Sequence, residues 1–161
     1  MIVRLFIKRD TSEANARYDV YDESGNPKYS VRGKHTPFGE GIRILDEQKA
    51  VCRIRRLGFN ALSAYTVKVG GETARLNIAV SGGVMTVRFH GISFMTRGDV
   101  AAGRYDILDA DNSVVCVVGK NFANGDLALT VNMEERELFC IASAVCIDSL
   151  SACALPALQM I

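Results

Sequence analysis

The segment Glu134–Ala154, EERELFCIASAVCIDSLSACA, decides the fold that this sequence predicts. Acidic residues soon after Asn132 are typical of a helix start, and Pro156 is typical of a helix stop. Between these signals apolar residues fall on every side of the helix, and a helix without a polar face has to be buried. We therefore expect a buried helix over about residues 134–154.

The same apolar run raises the alternative of a membrane span, because a bilayer is crossed by roughly 20 apolar residues. Against it, Asp148 lies near the midpoint, where a carboxylate costs about 2.5 to 3.5 kcal/mol. Three serines dilute the apolarity, and no cationic cluster flanks either end. We favour burial inside the protein and expect no transmembrane segment.

Length and composition predict one domain, residues 1–161, in a reduced compartment. At 161 residues the chain can bury a sizeable core without needing a second one. The net charge of +1 gives no overall attraction to nucleic acid, so any basic site has to be local. The five cysteines are odd in number and form no CxxC pair, which is typical of core thiols in a cytoplasmic protein.

Residues before Glu134 alternate between apolar and polar with period two, which predicts about twelve strands over about residues 2–132. Turn residues separate the strands, as in Ser24-Gly25-Asn26-Pro27 and Gly70-Gly71. A hairpin repeat is visible in which an aspartate ends one strand, where its side chain can accept hydrogen bonds from the turn amides; the copies end at Asp22, Asp46 and Asp109. One apolar face per strand and a wholly apolar helix predict a mainly β fold, a closed antiparallel barrel that encloses the C-terminal helix.

Five stretches of this chain, taken together, resemble the LURP-one-related family, which belongs with tubby C-terminal domains and phospholipid scramblases. They are Leu5–Lys8, Tyr18–Lys34, Ile42–Arg56, Tyr105–Phe122 and Gly125-Asp126. The resemblance covers essentially the whole chain and implies a twelve-stranded barrel around a central C-terminal helix. It also implies lipid recognition, because tubby domains bind phosphoinositide head groups through basic residues. Phe122 stands where common members have tryptophan, and no cysteine-rich palmitoylation tract is present.

A cluster of basic residues is the candidate ligand-binding site. Arg53 and Arg55 alternate with Cys52 and Ile54, so both point away from the apolar face. With neighbouring basic residues they would form a patch for a phosphorylated head group; the full set is Lys34, Arg43, Lys49, Arg53, Arg55 and Arg56. The alternative is a solvated strand face neutralised by the nearby carboxylates Glu40, Asp46 and Glu47.

Catalytic and metal-binding chemistry finds little support in the sequence. His35 and His90 lie at predicted strand ends, and pairing either with Cys52 or Cys116 as a nucleophile rests on residue type alone. No set of residues has metal-ligand spacing, and Asp109–Ser113 fits a hairpin turn better than a calcium loop. We predict no enzyme, catalytic residue, metal or cofactor.

If its helix is buried, Asp148 has to reach a basic partner, backbone amides or water, or else stay protonated. It either lies near an open end of the barrel, where water solvates it, or forms a polar handle in an internal ligand cavity.

The function predicted from the sequence is a non-enzymatic binding module that recognises phospholipid or phosphoinositide head groups from the cytoplasm, peripheral to the membrane. Pro37 and Phe38 would either offer an apolar loop tip for insertion or plug one end of the barrel. The alternative is a cytosolic structural or protein-interaction scaffold with no lipid role. Neither includes nucleic acid as a partner.

Overall fold

The computed structural model describes the backbone of residues 2–10, 17–36, 39–57 and 62–159, and the side chains of residues 2–10, 17–33, 41–57 and 63–150. Twelve strands occupy these ranges: β1 Val3–Arg9, β2 Arg17–Asp22, β3 Pro27–Thr36, β4 Gly39–Asp46, β5 Lys49–Leu57, β6 Leu62–Val69, β7 Glu72–Ser81, β8 Val84–His90, β9 Met95–Asp99, β10 Arg104–Leu108, β11 Val114–Lys120 and β12 Leu127–Val131. A single 3₁₀ turn, Glu134–Arg136, leads into the helix α1, Glu137–Gln159.

The strands form one sheet in which every pairing is antiparallel. Its order runs from β8 back to β1, then to β12 and on to β9, so chain neighbours pair and β1 pairs with β12. No ladder joins β8 to β9 within the described residues, although the short segment 91–94 connects them. The predicted antiparallel barrel around a C-terminal helix is confirmed, but the barrel is nearly closed instead of fully closed.

The core lies between the inner face of the sheet and the helix. On β1, Leu5 and Ile7 are fully buried while Arg4 and Phe6 are exposed, and most other strands repeat this alternation. Every residue of α1 from Phe139 to Leu150 is buried. The helix contacts β5, β6 and β7 together with β11 and β12, so strands cover it on different sides.

The ends of the helix differ from the sequence prediction. The Asn132 side chain does not cap the helix, because its Nδ2 donates to the carbonyl oxygen of Val114 at 3.1 Å. At the far end α1 continues through Pro156 to Gln159, so the prediction of a stop at Pro156 is wrong. A proline inside a helix removes one backbone donor and crowds the carbonyl four residues earlier, at a cost of about 3 kcal/mol, which is why the sequence favours a stop there.

Two further expectations can be compared with the structure. Asp22 Oδ1 accepts hydrogen bonds from the amides of Ser24 and Asn26, each at 2.9 Å, and Asp109 Oδ1 accepts one from Ala110 at 2.7 Å. The predicted role of the repeated aspartates is therefore confirmed at these two turns. Across the described part of the chain, no helix has the combination of length and apolarity that crossing a membrane requires.

Candidate functional site

Strand register aligns three cations on the outer face of the barrel. Arg43 on β4 lies directly opposite Arg53 on β5, and Arg53 lies opposite Lys68 on β6. All three side chains are exposed. Neighbouring strands are about 4.8 Å apart, so the side chains project side by side.

Arg55 extends this group by one step along β5. With Arg53, Ile54, Thr66 and Lys68 it lines an outer groove of about 260 Å³. We call Arg43, Arg53, Arg55 and Lys68 the cationic groove. Among the side chains that the structure describes, no carboxylate forms an ion pair with any of these four.

Like charges directly opposite each other on neighbouring strands repel. An anion bound between them would relieve this repulsion and add hydrogen bonds. Guanidinium groups hold the oxygens of a phosphate or carboxylate in pairs, whereas a lysine supplies a point charge. The cationic groove can therefore hold a phosphate-bearing group without any change in the sheet.

The remaining residues of the predicted patch lie elsewhere. Arg56 is half-buried: its Nη2 is 3.2 Å from the Ser63 hydroxyl and its guanidinium lies 5.9 Å from the ring centroid of Tyr65. Ser63 and Tyr65 are both buried, so the Arg56 side chain contacts the inner face of the sheet and is not part of the outer groove. Lys49 is exposed at the turn end of β5, opposite Asp46, and the Lys34 side chain is outside the described residues.

Lys68 belongs to the groove, and sequence reasoning did not include it. The signal was present, because Lys68 stands between the apolar Val67 and Val69 and therefore points outward. What the sequence lacks is the register between β5 and β6, which places Lys68 opposite Arg53.

Asp148 forms a buried polar cluster with residues from two strands. Lys120 Nζ on β11 donates to its Oδ1 at 2.9 Å, and the Tyr18 hydroxyl on β2 donates to its Oδ2 at 3.0 Å. The same hydroxyl lies 3.1 Å from Ser149 Oγ. A cavity of about 10 Å³ adjoins Lys120 and Asp148, which is room for about one water. Among the described residues, Asp148 is thus buried and paired with Lys120, and the cavity beside it is too small for a ligand larger than water.

A second polar cluster holds the start of the helix. Lys28 Nζ and the Tyr29 hydroxyl, both on β3, donate to the two oxygens of Glu137, the latter at 2.8 Å. Burial, together with this carboxylate, raises the pKa of Tyr29. Both clusters therefore attach the helix to the barrel. The carboxylates of Glu137 and Asp148 are each held by a lysine and a tyrosine of the strands.

The candidate nucleophiles are poorly placed for catalysis. Burial raises the pKa of the Cys52 thiol to about 12, so little thiolate exists near neutral pH. Cys116 is fully buried, and contact with it raises the pKa of the Cys140 thiol. His90 is exposed on β8 opposite Arg75, and the His35 side chain is outside the described residues. Within the described residues, no group of three or more His, Cys, Asp or Glu side chains is arranged to hold a metal ion.

Comparisons with known proteins cover almost all of the chain. The family model described as LURP-one-related matches residues 3–148. The uncharacterized protein YxjI of Bacillus subtilis (strain 168) is 23% identical over 150 residues, which cover 91% of this chain and 93% of that protein. The X-ray structure of the Arabidopsis thaliana protein AT5G01750 is similar with a TM-score of 0.64 and 15% identity, over 92% of this chain and 91% of that one.

Proposed function

We propose that this chain, which belongs to the LURP-one-related family, is a non-enzymatic binding module that recognises the phosphate of phospholipid or phosphoinositide head groups, acting in the cytoplasm at the membrane periphery. The observation that supports this function is the cationic groove. Four exposed cations, Arg43, Arg53, Arg55 and Lys68, lie together on β4 to β6 without a carboxylate partner among the described side chains.

The chemistry of the groove favours phosphate as the ligand. Three of the four cations are arginines, whose planar guanidinium groups form paired hydrogen bonds with phosphate oxygens. The resemblance to tubby C-terminal domains, which bind phosphoinositides through basic residues, points to the same ligand class. The scaffold alternative predicts a surface without concentrated positive charge, and the groove favours lipid recognition over it.

The absence of enzymatic activity is part of the proposal. The thiol of Cys52 is buried with a raised pKa, and Asp148 and Glu137 are held in ion pairs. Groups that are occupied or protonated in this way are poor nucleophiles or bases.

Vesicle sedimentation tests the proposal. The wild-type protein should co-sediment at low salt with phosphatidylcholine vesicles that contain a phosphoinositide, and not with phosphatidylcholine alone. The double variant Arg53→Gln with Arg55→Gln should bind roughly thirtyfold more weakly, because each cation near an anionic surface contributes about 1 kcal/mol.

The matched control is Arg4→Gln with Lys8→Gln, which removes two cations from the outer face of β1. This control has the same net charge as the groove variant and should retain much tighter binding. Equal loss in both variants, or no vesicle binding by the wild-type protein, would contradict the proposal and favour the scaffold alternative.

A further inference from the structure

Cations that have no carboxylate partner among the described side chains continue beyond the groove onto β7 and β8. Arg75 lies opposite Thr66, which is itself opposite Arg55, and His90 lies opposite Arg75. Arg88 lies opposite Asn77, one step further along the strands. The side chains of Arg75, Arg88 and His90 are all exposed. We call the set of arginine and lysine side chains the cationic flank: Arg43, Arg53, Arg55, Lys68, Arg75 and Arg88.

Carboxylates are almost absent from the outer face of the same strands. The acidic residues of β4 to β8 are Glu40, Asp46 and Glu72, each at a strand end or next to one. The Glu40 side chain is outside the described residues, and Glu72 accepts a bond from Arg136 at 2.7 Å. Elsewhere on the barrel several cations are paired with carboxylates; the pairs are Arg4 with Glu23, Arg17 with Asp10, Arg32 with Asp19 and Arg97 with Asp106. Because the whole chain has a net charge of only +1, the cationic flank is a local excess.

The dimensions of the flank exceed those of one phosphate site. Five neighbouring strands span four gaps of about 4.8 Å, or about 19 Å, and the three rows of residues span about 13 Å along the strands. The flank lies on the outer, convex surface of the barrel instead of inside a cavity. A convex surface of this size can contact several anionic groups at once, whereas a cavity encloses a single group.

We propose that the cationic flank docks the barrel onto an anionic bilayer, engaging several phospholipid head groups together through their charge. This inference rests on the proposed function and deepens it, because it extends phosphate recognition from the groove to contact with several head groups along β4 to β8. Lipids with a single negative charge, at sufficient density, are then adequate ligands.

Two exposed apolar residues favour a bilayer over another polyanion. Leu57 at the end of β5 is 47% exposed and Val84 at the start of β8 is 64% exposed. Antiparallel strand directions place both at the same end of the barrel, beside the flank. Apolar side chains next to cations can enter the membrane interface. The described outward side chains of β4 to β8 include no Phe, Tyr or Trp ring, the large aromatic rings on which bases of single-stranded nucleic acid stack best.

The test compares two kinds of phosphatidylcholine vesicle, one that contains phosphatidylserine and one that contains a phosphoinositide. The two are matched for total lipid charge. Wild-type binding should be similar on both and should rise steeply with the fraction of phosphatidylserine. The double variant Arg75→Gln with Arg88→Gln should lose about thirtyfold in binding at low salt, since each cation contributes about fivefold. The loss should shrink as salt screens the charges.

Two controls sharpen the result. Arg4→Gln with Lys8→Gln changes net charge equally but leaves the flank intact, so it should bind much more tightly than the flank variant. Leu57→Asn should weaken binding by a factor that persists at high salt, because its contribution is apolar. Thermal unfolding of each variant, followed by circular dichroism, checks that the barrel is folded.

Several outcomes would overturn the inference. If Arg75→Gln with Arg88→Gln binds like the wild-type protein while Arg53→Gln with Arg55→Gln does not, and soluble inositol phosphate competes, the site holds one head group. The proposed function would then stand and the flank would not. Tighter binding to a single-stranded RNA oligonucleotide than to vesicles would also contradict bilayer docking. Absence of vesicle binding by the wild-type protein would remove both proposals.

Discussion

Asp148 illustrates how a carboxylate is accommodated in an otherwise apolar helix. Its two oxygens accept from Lys120 on β11 and Tyr18 on β2, and the carboxylate itself is almost fully buried. The need for a partner follows from the sequence, because an unpaired buried charge costs several kcal/mol. The identity of the partners cannot be predicted from the sequence, because Tyr18 is 130 residues away along the chain and is brought close only by the barrel.

Removing the cation from this pair should be strongly destabilising. Lys120→Met leaves the Asp148 carboxylate buried without its cation, and breaking a buried ion pair costs about 3 to 5 kcal/mol. The side chains of Lys120 and Asp148 are only 16% and 4% exposed, so water cannot replace the lysine easily. Urea unfolding should show the loss as a lower transition midpoint.

The control for this variant is the double change Lys120→Met with Asp148→Leu. With both charges removed, no buried charge is left uncompensated, and the Tyr18 hydroxyl still has Ser149 as a partner at 3.1 Å. The double variant should therefore be more stable than Lys120→Met alone. If the single variant were as stable as the wild-type protein, the ion pair would not stabilise the attachment of the helix.

Among the elements, β9 depends on a glycine at its contact with β10. Gly98 has φ +117°, and a Cβ there would lie 2.8 Å from the carbonyl oxygen of Arg104 and 3.0 Å from the Cα of Tyr105. Both are backbone atoms of β10 and cannot turn aside. Gly98→Ala should therefore push β9 away from β10 and lower the free energy of unfolding by about 1 to 3 kcal/mol.

Gly119→Ala on β11 is the matched control for this change. A Cβ at Gly119 would meet no atom within 4 Å, so the substitution should have little effect on stability. Hydrogen exchange can locate the damage, because Gly98→Ala should increase exchange in β9 and β10 before the other strands. Equal stability of the two variants would contradict a close approach of β9 to β10.

The elements that could be predicted from the sequence are those with a regular pattern. Period-two alternation predicts strands such as β1 and β7, whose buried residues are Leu5, Ile7, Leu76 and Ile78 among others. The sequence does not predict β9, because its residues do not alternate between apolar and polar, and none of its side chains is buried. The candidate site was predicted in part: Arg53 and Arg55 alternate on one strand, whereas Lys68 joins them only through register between strands.

At the scale of the whole molecule, the barrel removes titratable groups from water. Tyr18 and Tyr105 on the inner face and Cys52 on β5 are all buried. Burial is the leading cause that raises the pKa of each of the three, for Cys52 from 9.0 to about 12. Each group stays protonated in the folded protein at a pH where it ionises in the unfolded chain.

This difference predicts that stability falls in alkaline solution. Unfolded thiols lose their proton near pH 9.0 and unfolded tyrosines near pH 10.0, before the folded protein does. Below pH 9 the three groups are protonated in both states, so their contribution is fully present. As the pH rises above 9, the unfolded state is stabilised by up to about 1.4 kcal/mol per pH unit for each group, until the folded pKa is reached.

Urea unfolding at a series of pH values, with circular dichroism as the signal, measures this dependence. The wild-type free energy of unfolding should fall first through the Cys52 and Cys140 thiols and then more steeply through the tyrosines. Cys52→Val has a side chain of similar size without a titrating proton, so its stability should fall less steeply between pH 9 and pH 10 than that of the wild-type protein. Identical profiles for the two proteins, or a wild-type stability that does not decrease above pH 9, would mean that the sheet leaves these groups in contact with water.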